Sequence, residues 1–506
     1  MKAASVRIVV VATAAATLAG CAVGPDFHSP AAPVAGGYTA TKLPPQTAAA
    51  PVGGGAAQRF AIARDVSAQW WSLFRSPALD RLVDQGLAGN PSLAAARAAL
   101  AAAQENLAAG DGLLYPSVDA SLQATKQRTT GLTTGASSQE FKLYNASVNV
   151  SYGLDLFGSA RRQLEALQAQ VDYQRYQLEA AYLSLSANIV TTAVQEASLR
   201  GQISATQAVI AADRRLLALV ERQFELGAVA RSAVLLQRSQ LAADRATLPL
   251  LEKQLSFSRH ALAALVGRLP DRAGTPEFQL DALHLPAVLP VSLPSALARQ
   301  RPDIRAAEAL LHQASAGVGV ATANLYPQVT LSAALGSQAL TASSLFGARN
   351  AIWNLGAGIL QPVFNGGELS AKRRAAQSAL DQAAGQYRQT VVNAFQNVAD
   401  SLRALSDDAQ TLEAQAQFSA AAKDSLALTQ TQFSLGAVSY LTLAAAQRDE
   451  AQARINLIKA RAARYADTAA LFQSLGGGWW NRTSAAPGAI SKRSGEPAPH
   501  GESAHD

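Results

Sequence analysis

The stretch Tyr144–Gly158 reads YNASVNVSYGLDLFG, and its side chains alternate between two kinds. One set of alternate positions is apolar or tyrosine, and the other holds serine, asparagine and glycine, with no charge before Asp155. A period of two residues indicates a β-strand with unlike faces. Three more segments alternate in the same way: Ser117–Thr125, Gln328–Leu335 and Trp353–Ile359. The pattern therefore predicts four strands, each with one face suited to lipid and one suited to water.

Four strands are too few to close a transmembrane barrel within one chain. Each has about the 9–11 residues that cross a bilayer, but an open sheet edge in lipid costs several kcal/mol per unpaired group. The smallest transmembrane barrels have about eight strands, so more than one chain must contribute. Three chains giving twelve strands around an aqueous lumen is the simplest solution, and a dimer with a plugged lumen also fits. A soluble α+β protein is the competing interpretation, although Asp119 is the single acid on the polar faces away from the strand ends.

The composition favours long helices beside these strands. The chain has 506 residues, of which 49% are hydrophobic and only 6% aromatic, and its net charge is +7. Basic residues are scattered, which argues against a nucleic-acid partner. No proline occurs between Ser117 and Leu248, so residues 159–226 can form one helix of about 100 Å. Apolar residues between Phe395 and Ala416 recur every three or four positions, which is typical of a coiled-coil seam.

The N-terminus predicts export and lipid attachment. Residues 1–20 combine a basic start with a short apolar run, as a cleaved signal peptide does. LAGC at Leu18–Cys21 matches a lipobox, and Cys21 is the only cysteine in the chain. We therefore expect an acylated Cys21, and Ala22 rather than Asp after it favours the outer membrane. Residues 21–68 are rich in Pro, Ala and Gly, so we expect a lipid-anchored, mostly irregular tether.

An internal duplication divides the rest of the chain. Leu114–Pro116 matches Leu325–Pro327, and Gln223–Val229 matches Gln432–Val438, at offsets of 211 and 209. The matches indicate two copies of one unit. The predicted organisation is a first repeat at 69–268, a linker at 269–293, a second repeat at 294–475 and a disordered tail at 476–506.

Several motifs together resemble the TolC-type outer-membrane efflux proteins, in the lipoprotein branch that serves resistance–nodulation–division (RND) pumps. They are CAVGPDF at 21–27, QWWSLFRSPALDRLV at 69–83, NPSL at 90–93, LDLFG at 154–158, RPDIRAAE at 301–308, LYPQ at 325–328 and SYLTL at 439–443. The resemblance implies a mixed α/β membrane protein. Its homotrimer would form a 12-stranded transmembrane β-barrel, with four strands from each chain, continued by a long periplasmic α-helical coiled-coil tunnel. It also implies a periplasmic adaptor protein and an inner-membrane RND pump as partners, passive transport, no enzymatic reaction and no cofactor.

The resemblance also implies two working regions. The turns between the long helices would meet the adaptor, through Leu226, Gly227, Val229, Leu435, Gly436 and Val438. The helix after the second turn would close the periplasmic aperture, through Tyr440, Leu441, Ala445 and Arg448. Many relatives carry an acid at the position of Ala445. Here the gate is either purely apolar or uses Asp449 or Glu450, and we expect Arg448 to contact a neighbouring protomer.

No residue pattern supports catalysis or a metal centre. The six histidines show no metal-ligand spacing outside the C-terminal tail, and no nucleophile or phosphate-binding motif occurs. Arg301-Pro302-Asp303 is interpreted as a structural helix start. Two other functions stay open: the outer-membrane duct of a type I protein secretion system, and a lipid-anchored structural coiled coil of the envelope.

Overall fold

The computed structural model describes residues 22–33, 36–41, 44–129, 139–272 and 274–482. Cys21, the signal sequence and residues 483–506 lie outside these ranges. The strands are β1 (Arg59–Ile62), β2 (Ser117–Thr129), β3 (Gln139–Leu154), β4 (Val288–Val291), β5 (Gln328–Ala339) and β6 (Ala351–Leu360). The helices are α1 (Pro77–Gly89), α2 (Pro91–Asp111), α3 (Ser159–Glu225), α4 (Arg231–Leu265), α5 (Pro294–Gln300), α6 (Pro302–Ala323), α7 (Glu368–Ser434) and α8 (Tyr440–Ser474).

The four predicted strands form one antiparallel sheet in the order β2-β3-β5-β6. The register places like residues opposite each other: Val148 of β3 lies between Ala120 and Leu335. Leu335 in turn pairs with Trp353 of β6. Because residues opposite each other share a face, the apolar faces of the strands join into one surface across the sheet. Within the described ranges, β2 and β6 are each paired on one side only.

The opposite face of the sheet is small and polar. The Ser121 and Ser147 hydroxyls lie 2.9 Å apart, and the Asn149 amide donates to both hydroxyl oxygens at 3.4 and 3.2 Å. Ser332 pairs with Ser151 on this face and with Gly356 beyond it. Strand lengths exceed the sequence expectation, since β3 begins at Gln139 and β2 continues to Thr129.

Two helical hairpins make up most of the chain. Helices α3 and α7 have 67 residues each, and α4 and α8 have 35 each. Each member of the first hairpin begins 209 residues before its counterpart in the second. The prediction of a single helix after Gly158 is confirmed. No helix in the described part of the chain has both the length and the hydropathy to cross a membrane.

The main core lies around the middle of the hairpins. Trp70 stacks on Phe472 with ring centroids 5.4 Å apart, and Leu262, Leu289 and Leu297 are fully buried in the same cluster. Strands β1 and β4 pair in parallel here, although the sequence analysis assigned them to an irregular tether and a linker. Four-residue strands such as RFAI and VLPV are too short for a period-two pattern to emerge.

The prediction of a disordered tail from Gly476 is wrong for its first residues. Gly476–Gly478 adopt positive φ angles and lead into a turn of 3-10 helix at Trp479–Asn481. The Trp479 indole donates to the Gln300 carbonyl at 2.7 Å. This hydrogen bond to the end of α5 therefore holds the segment, which composition alone had suggested was unstructured.

Candidate functional site: hairpin tips, the start of α8 and the N-terminal strap

The two hairpin tips have the same backbone geometry. Gly227 and Gly436 have φ angles of 74° and 72°. In the first tip the Ala228 N–H donates to the Gln223 carbonyl at 2.8 Å, and in the second Ala437 donates to Gln432 at 2.8 Å. This is a Schellman C-cap, which requires a left-handed residue and therefore favours glycine. The shared cap explains why both tips have glycine at this position.

Apolar side chains at the tips are left open to solvent. Leu226 and Leu435 are 70% and 77% exposed, and Val229 and Val438 are half-buried. A groove of about 680 Å³ runs between the two tips. Its lining includes Val229, Val438, Ala233, Leu236, Phe433 and Leu441. An exposed apolar groove of this kind is a suitable docking surface for another protein.

Tyr440, assigned to the aperture, has a buried side chain. It is 7% exposed and packs in a cluster with Leu216, Val220, Val234 and Leu443. Its hydroxyl donates to the Gln237 side-chain oxygen on α4. Burial, then the Asp213 carboxyl, raise the pKa of the Tyr440 hydroxyl to about 12, so the phenol is neutral and remains a donor. Tyr440 thus ties the start of α8 to the first hairpin.

The other three aperture candidates lie along the first turns of the same helix. Leu441 is 65% exposed, Ala445 is half-buried and Arg448 is exposed. The Arg448 guanidinium lies 3.9 Å from Asp449, and its expected contact with another protomer stays a prediction. Ser439 caps the helix, since its hydroxyl accepts from the Thr442 N–H at 3.3 Å.

A pair of carboxylic acids lies beside this region, and sequence reasoning missed it. Asp213 on α3 is 3% exposed, and its carboxyl interacts directly with that of Asp244 on α4. Gln237 donates to Asp213 Oδ1 at 3.3 Å. At the corresponding places 209 residues later the chain has Ala422 and Ala453. This difference between the two copies, two acids in one and two alanines in the other, could have revealed the pair from the sequence.

The segment after the predicted acylation site is docked against the helices. The Val23 N–H donates to the Phe157 carbonyl at 3.1 Å, and Asp26 forms an ion pair with Arg162 at 2.7 Å. Phe27 stacks on the His312 ring at 4.2 Å. We call residues 22–27 the N-terminal strap. It places the residue next to Cys21 at the joint between β3 and α3.

Two other residues singled out in the sequence are structural. The Arg301 guanidinium is buried, pairs with Asp303 at 2.7 Å and donates to the Ser474 carbonyl at 2.9 Å. It therefore fastens the start of α6 to the end of α8. His312 is likewise satisfied, since Nε2 lies 2.8 Å from Glu165. The described residues contain no group of three or more potential metal ligands.

Comparison with known proteins places this architecture in a class. The solved outer-membrane channel OprN superposes with a TM-score of 0.82 at 28% sequence identity, covering 91% of this chain and all of OprN. Among curated proteins, the pyoverdine export outer membrane protein OpmQ of Pseudomonas aeruginosa is 32% identical over 421 residues, 81% of this chain and 87% of OpmQ. The toluene efflux pump outer membrane protein TtgC of Pseudomonas putida is 29% identical over 481 residues, 93% of this chain and 96% of TtgC.

The fold is therefore that of the TolC-like outer-membrane channels. The chain belongs to the outer membrane efflux protein family, whose profile matches residues 82–268 and 293–477. The two matched segments each contain one pair of sheet strands and one helical hairpin. The resemblance inferred from the sequence motifs is confirmed, as are the outer-membrane location and the role in efflux.

Proposed function

We propose that three copies of this chain form the passive exit duct of a tripartite RND-type efflux system. The observation that carries the proposal is the four-stranded sheet. One of its faces is mostly apolar, and within the described ranges its two outer strands are each paired on one side only. Val118, Leu122, Trp353 and Leu355 on the apolar face are between 64% and 79% exposed. Side chains of this kind on one face of a sheet suit contact with lipid.

The free edges of β2 and β6 favour closure by copies of the same sheet. Unpaired backbone groups in a bilayer each cost several kcal/mol, and β2 of one copy pairing with β6 of the next removes them. Three copies give the 12-stranded barrel, with the Ser121, Ser147 and Asn149 face lining its lumen. The two hairpins of each copy, as paired repeats of one unit, would continue as a periplasmic tunnel of twelve helices.

The names of the relatives support a duct that does not choose its cargo. OpmQ is described by the export of pyoverdine and TtgC by the efflux of toluene. One fold thus serves different compounds, so we assign recognition of the cargo to the inner-membrane pump. The cargo of this duct would be drugs or other small toxic compounds. No reaction is required of the duct itself, and none of its residues is assigned a catalytic role.

The remaining assignments follow from the site geometry. Acylated Cys21 would anchor each copy in the outer membrane, and the N-terminal strap would hold that anchor at the level where the sheet meets the helices. The exposed tip groove would receive the periplasmic adaptor. The start of α8 would close the periplasmic end, with Leu441 as the apolar constriction and Arg448 in contact with a neighbouring copy.

Conductance of the purified protein in a planar bilayer tests the duct. We expect discrete channels once the tips are opened, and a trimer by mass measurement. A structural coiled coil of the envelope would give no conductance. In the host, deletion of the gene should increase sensitivity to dyes and drugs. A deletion strain with normal drug sensitivity but a lost secreted protein would favour the type I secretion alternative.

The tip assignment has its own test. Leu435→Asp should make the host as drug-sensitive as the deletion strain, because a charge at this exposed apolar position of the tip opposes docking of the adaptor. The bilayer conductance of this variant should remain. Gln430→Asp, at an exposed position five residues earlier on α7, is the matched control and should behave as wild type. Equal loss of resistance in both variants would contradict the tip assignment.

A further inference from the structure

The first hairpin places one buried and one half-buried carboxyl group at a level where the second hairpin has only alanines. Asp213 and Asp244 face each other between α3 and α4. Their counterparts in the second hairpin, Ala422 and Ala453, are 7% and 0% exposed. Two methyl groups therefore fill the same level of an equivalent hairpin. Helix packing does not demand carboxyl groups there, so their presence in the first hairpin calls for another explanation.

The acid pair is connected to the start of α8 through one glutamine. Gln237, fully buried on α4, donates from Nε2 to the Asp213 carbonyl at 3.2 Å and to its carboxylate at 3.3 Å. Its side-chain oxygen accepts from the Tyr440 hydroxyl. Any change in the position of Asp213 is thereby transmitted to the first residue of α8, next to the exposed Leu441.

The surroundings offer little positive charge to the pair. Both acids line a cavity of about 680 Å³ between α3, α4 and α8. The other charged groups in its lining are Arg448, which is exposed and lies against Asp449, and Lys459. Gln240 donates to Asp244 at 2.8 Å. Helix α7 contributes apolar side chains to the neighbouring cluster, Leu426 and Phe433.

Burial, then the adjacent Asp244 carboxyl, raise the pKa of Asp213 from 3.8 to about 7. Asp213 is consequently protonated below neutral pH, beside the Asp244 carboxyl. Above it, two negative charges face each other while Asp213 is only 3% exposed, which is unfavourable. The Asp213 Oδ2 atom is buried without a hydrogen-bond partner among the described residues, so the Gln237 amide, on Oδ1, is the one donor that those residues offer to the Asp213 carboxylate.

We propose that Asp213, beside Asp244, forms a proton-operated latch, which holds the start of α8 against the first hairpin when Asp213 is protonated and releases it when Asp213 ionises. Release frees Tyr440 from Gln237 and lets the first turns of α8 move. The effect on permeation rests on the proposed duct, in which these turns close the periplasmic end. The release itself is a property of the helices and can be measured without transport.

The sign and size of the effect follow from linkage. The closed state binds the proton more tightly than the open state, whose Asp213 has the ordinary pKa. The free energy by which the pair stabilises the closed state is therefore fully present below about pH 4 and is lost progressively up to pH 7. Opening becomes easier by close to tenfold per pH unit in that interval, or at most about 100-fold between pH 5 and pH 8.

Hydrogen–deuterium exchange of the full-length protein in detergent tests the latch. Peptides covering residues 436–448 and 232–244 are followed at pH 5 and pH 8 in wild type and in Asp213→Asn. The asparagine keeps the shape and the hydrogen bond of the protonated acid but cannot ionise. Dividing each wild-type rate by the variant rate at the same pH removes the intrinsic pH dependence of exchange. We expect this ratio to rise by tens of fold between pH 5 and pH 8.

A second variant and a control complete the experiment. Asp244→Asn should abolish the rise as Asp213→Asn does, which guards against a local packing defect in either variant. Asp408→Asn is the control, because Asp408 and Asp467 form a different acid pair. The fully buried Arg464 lies next to that pair. The Asp408→Asn variant should leave the response of 436–448 unchanged. A pH-independent ratio, or a rise abolished equally by Asp408→Asn, would overturn the latch. Because exchange does not require permeation, either result leaves the duct proposal to its own test.

Discussion

Placing one arginine on either face of the sheet tests the membrane assignment. Val148 lies on the apolar face, between Ala120 and Leu335, and the next residue, Asn149, points to the polar face. An arginine on the lipid face of a barrel costs roughly 2–4 kcal/mol near the bilayer centre. That cost corresponds to about 30- to 700-fold in the folding equilibrium of each chain. Three copies would carry it three times, so Val148→Arg should prevent barrel formation.

Asn149→Arg is the matched control, because it adds the same side chain one residue away on a face that we assign to water. The measurement is the fraction of protein that runs as a heat-sensitive trimer on unheated SDS gels after extraction from outer membranes. We expect most of the Asn149→Arg protein, and little or none of the Val148→Arg protein, in that band. Equal trimer yields, or a lower yield for Asn149→Arg, would refute the assignment of the two faces.

Two glycine comparisons test the tip and the strap. Gly436→Ala should lower thermal stability by about 1–2 kcal/mol, since its φ of 72° disfavours any side chain. Gly385→Ala, in the interior of α7 with open space around its Cβ position, should instead raise stability by about 0.5–1 kcal/mol. Circular dichroism melts measure both, and similar shifts in the two variants would contradict the cap geometry. Gly24→Ala should release the strap, because its Cβ would lie 2.5 Å from Gly319 Cα. Limited proteolysis should then cut the Gly24→Ala protein near its N-terminus. The control Gly36→Ala has nothing within 4 Å of its added Cβ and should stay as resistant as wild type. Equal cleavage of the two variants would show that the strap does not depend on the contact between Gly24 and Gly319.

The sequence by itself determined the faces of the four strands and the long helices. Alternation at period two is a local property of the chain, and YNASVNVSYGL carries it without help from distant residues. The same is true of the helices that follow Gly158 and Gly367 and of the glycine caps at Gly227 and Gly436. Each depends on residues within a few positions of one another.

Tertiary structure decided everything that joins segments far apart. Strand β1 pairs with β4, more than two hundred residues later, and neither is long enough to show a pattern. The strap follows the same rule, since the partner of Asp26 is Arg162. Composition predicted a loose tether because proline, alanine and glycine do not reveal an ion pair formed across 136 residues.

The candidate site divides in the same way. Gly227 and Gly436 could be assigned from local sequence, but the burial of Tyr440 and of Asp213 could not. An aspartate on a helix is ordinarily a solvated residue, and Asp213 is buried here because two helices and the Gln237 side chain enclose it. A side chain's environment is set by what folding places around it, and that information is spread over α3, α4 and α8 rather than written at any one position.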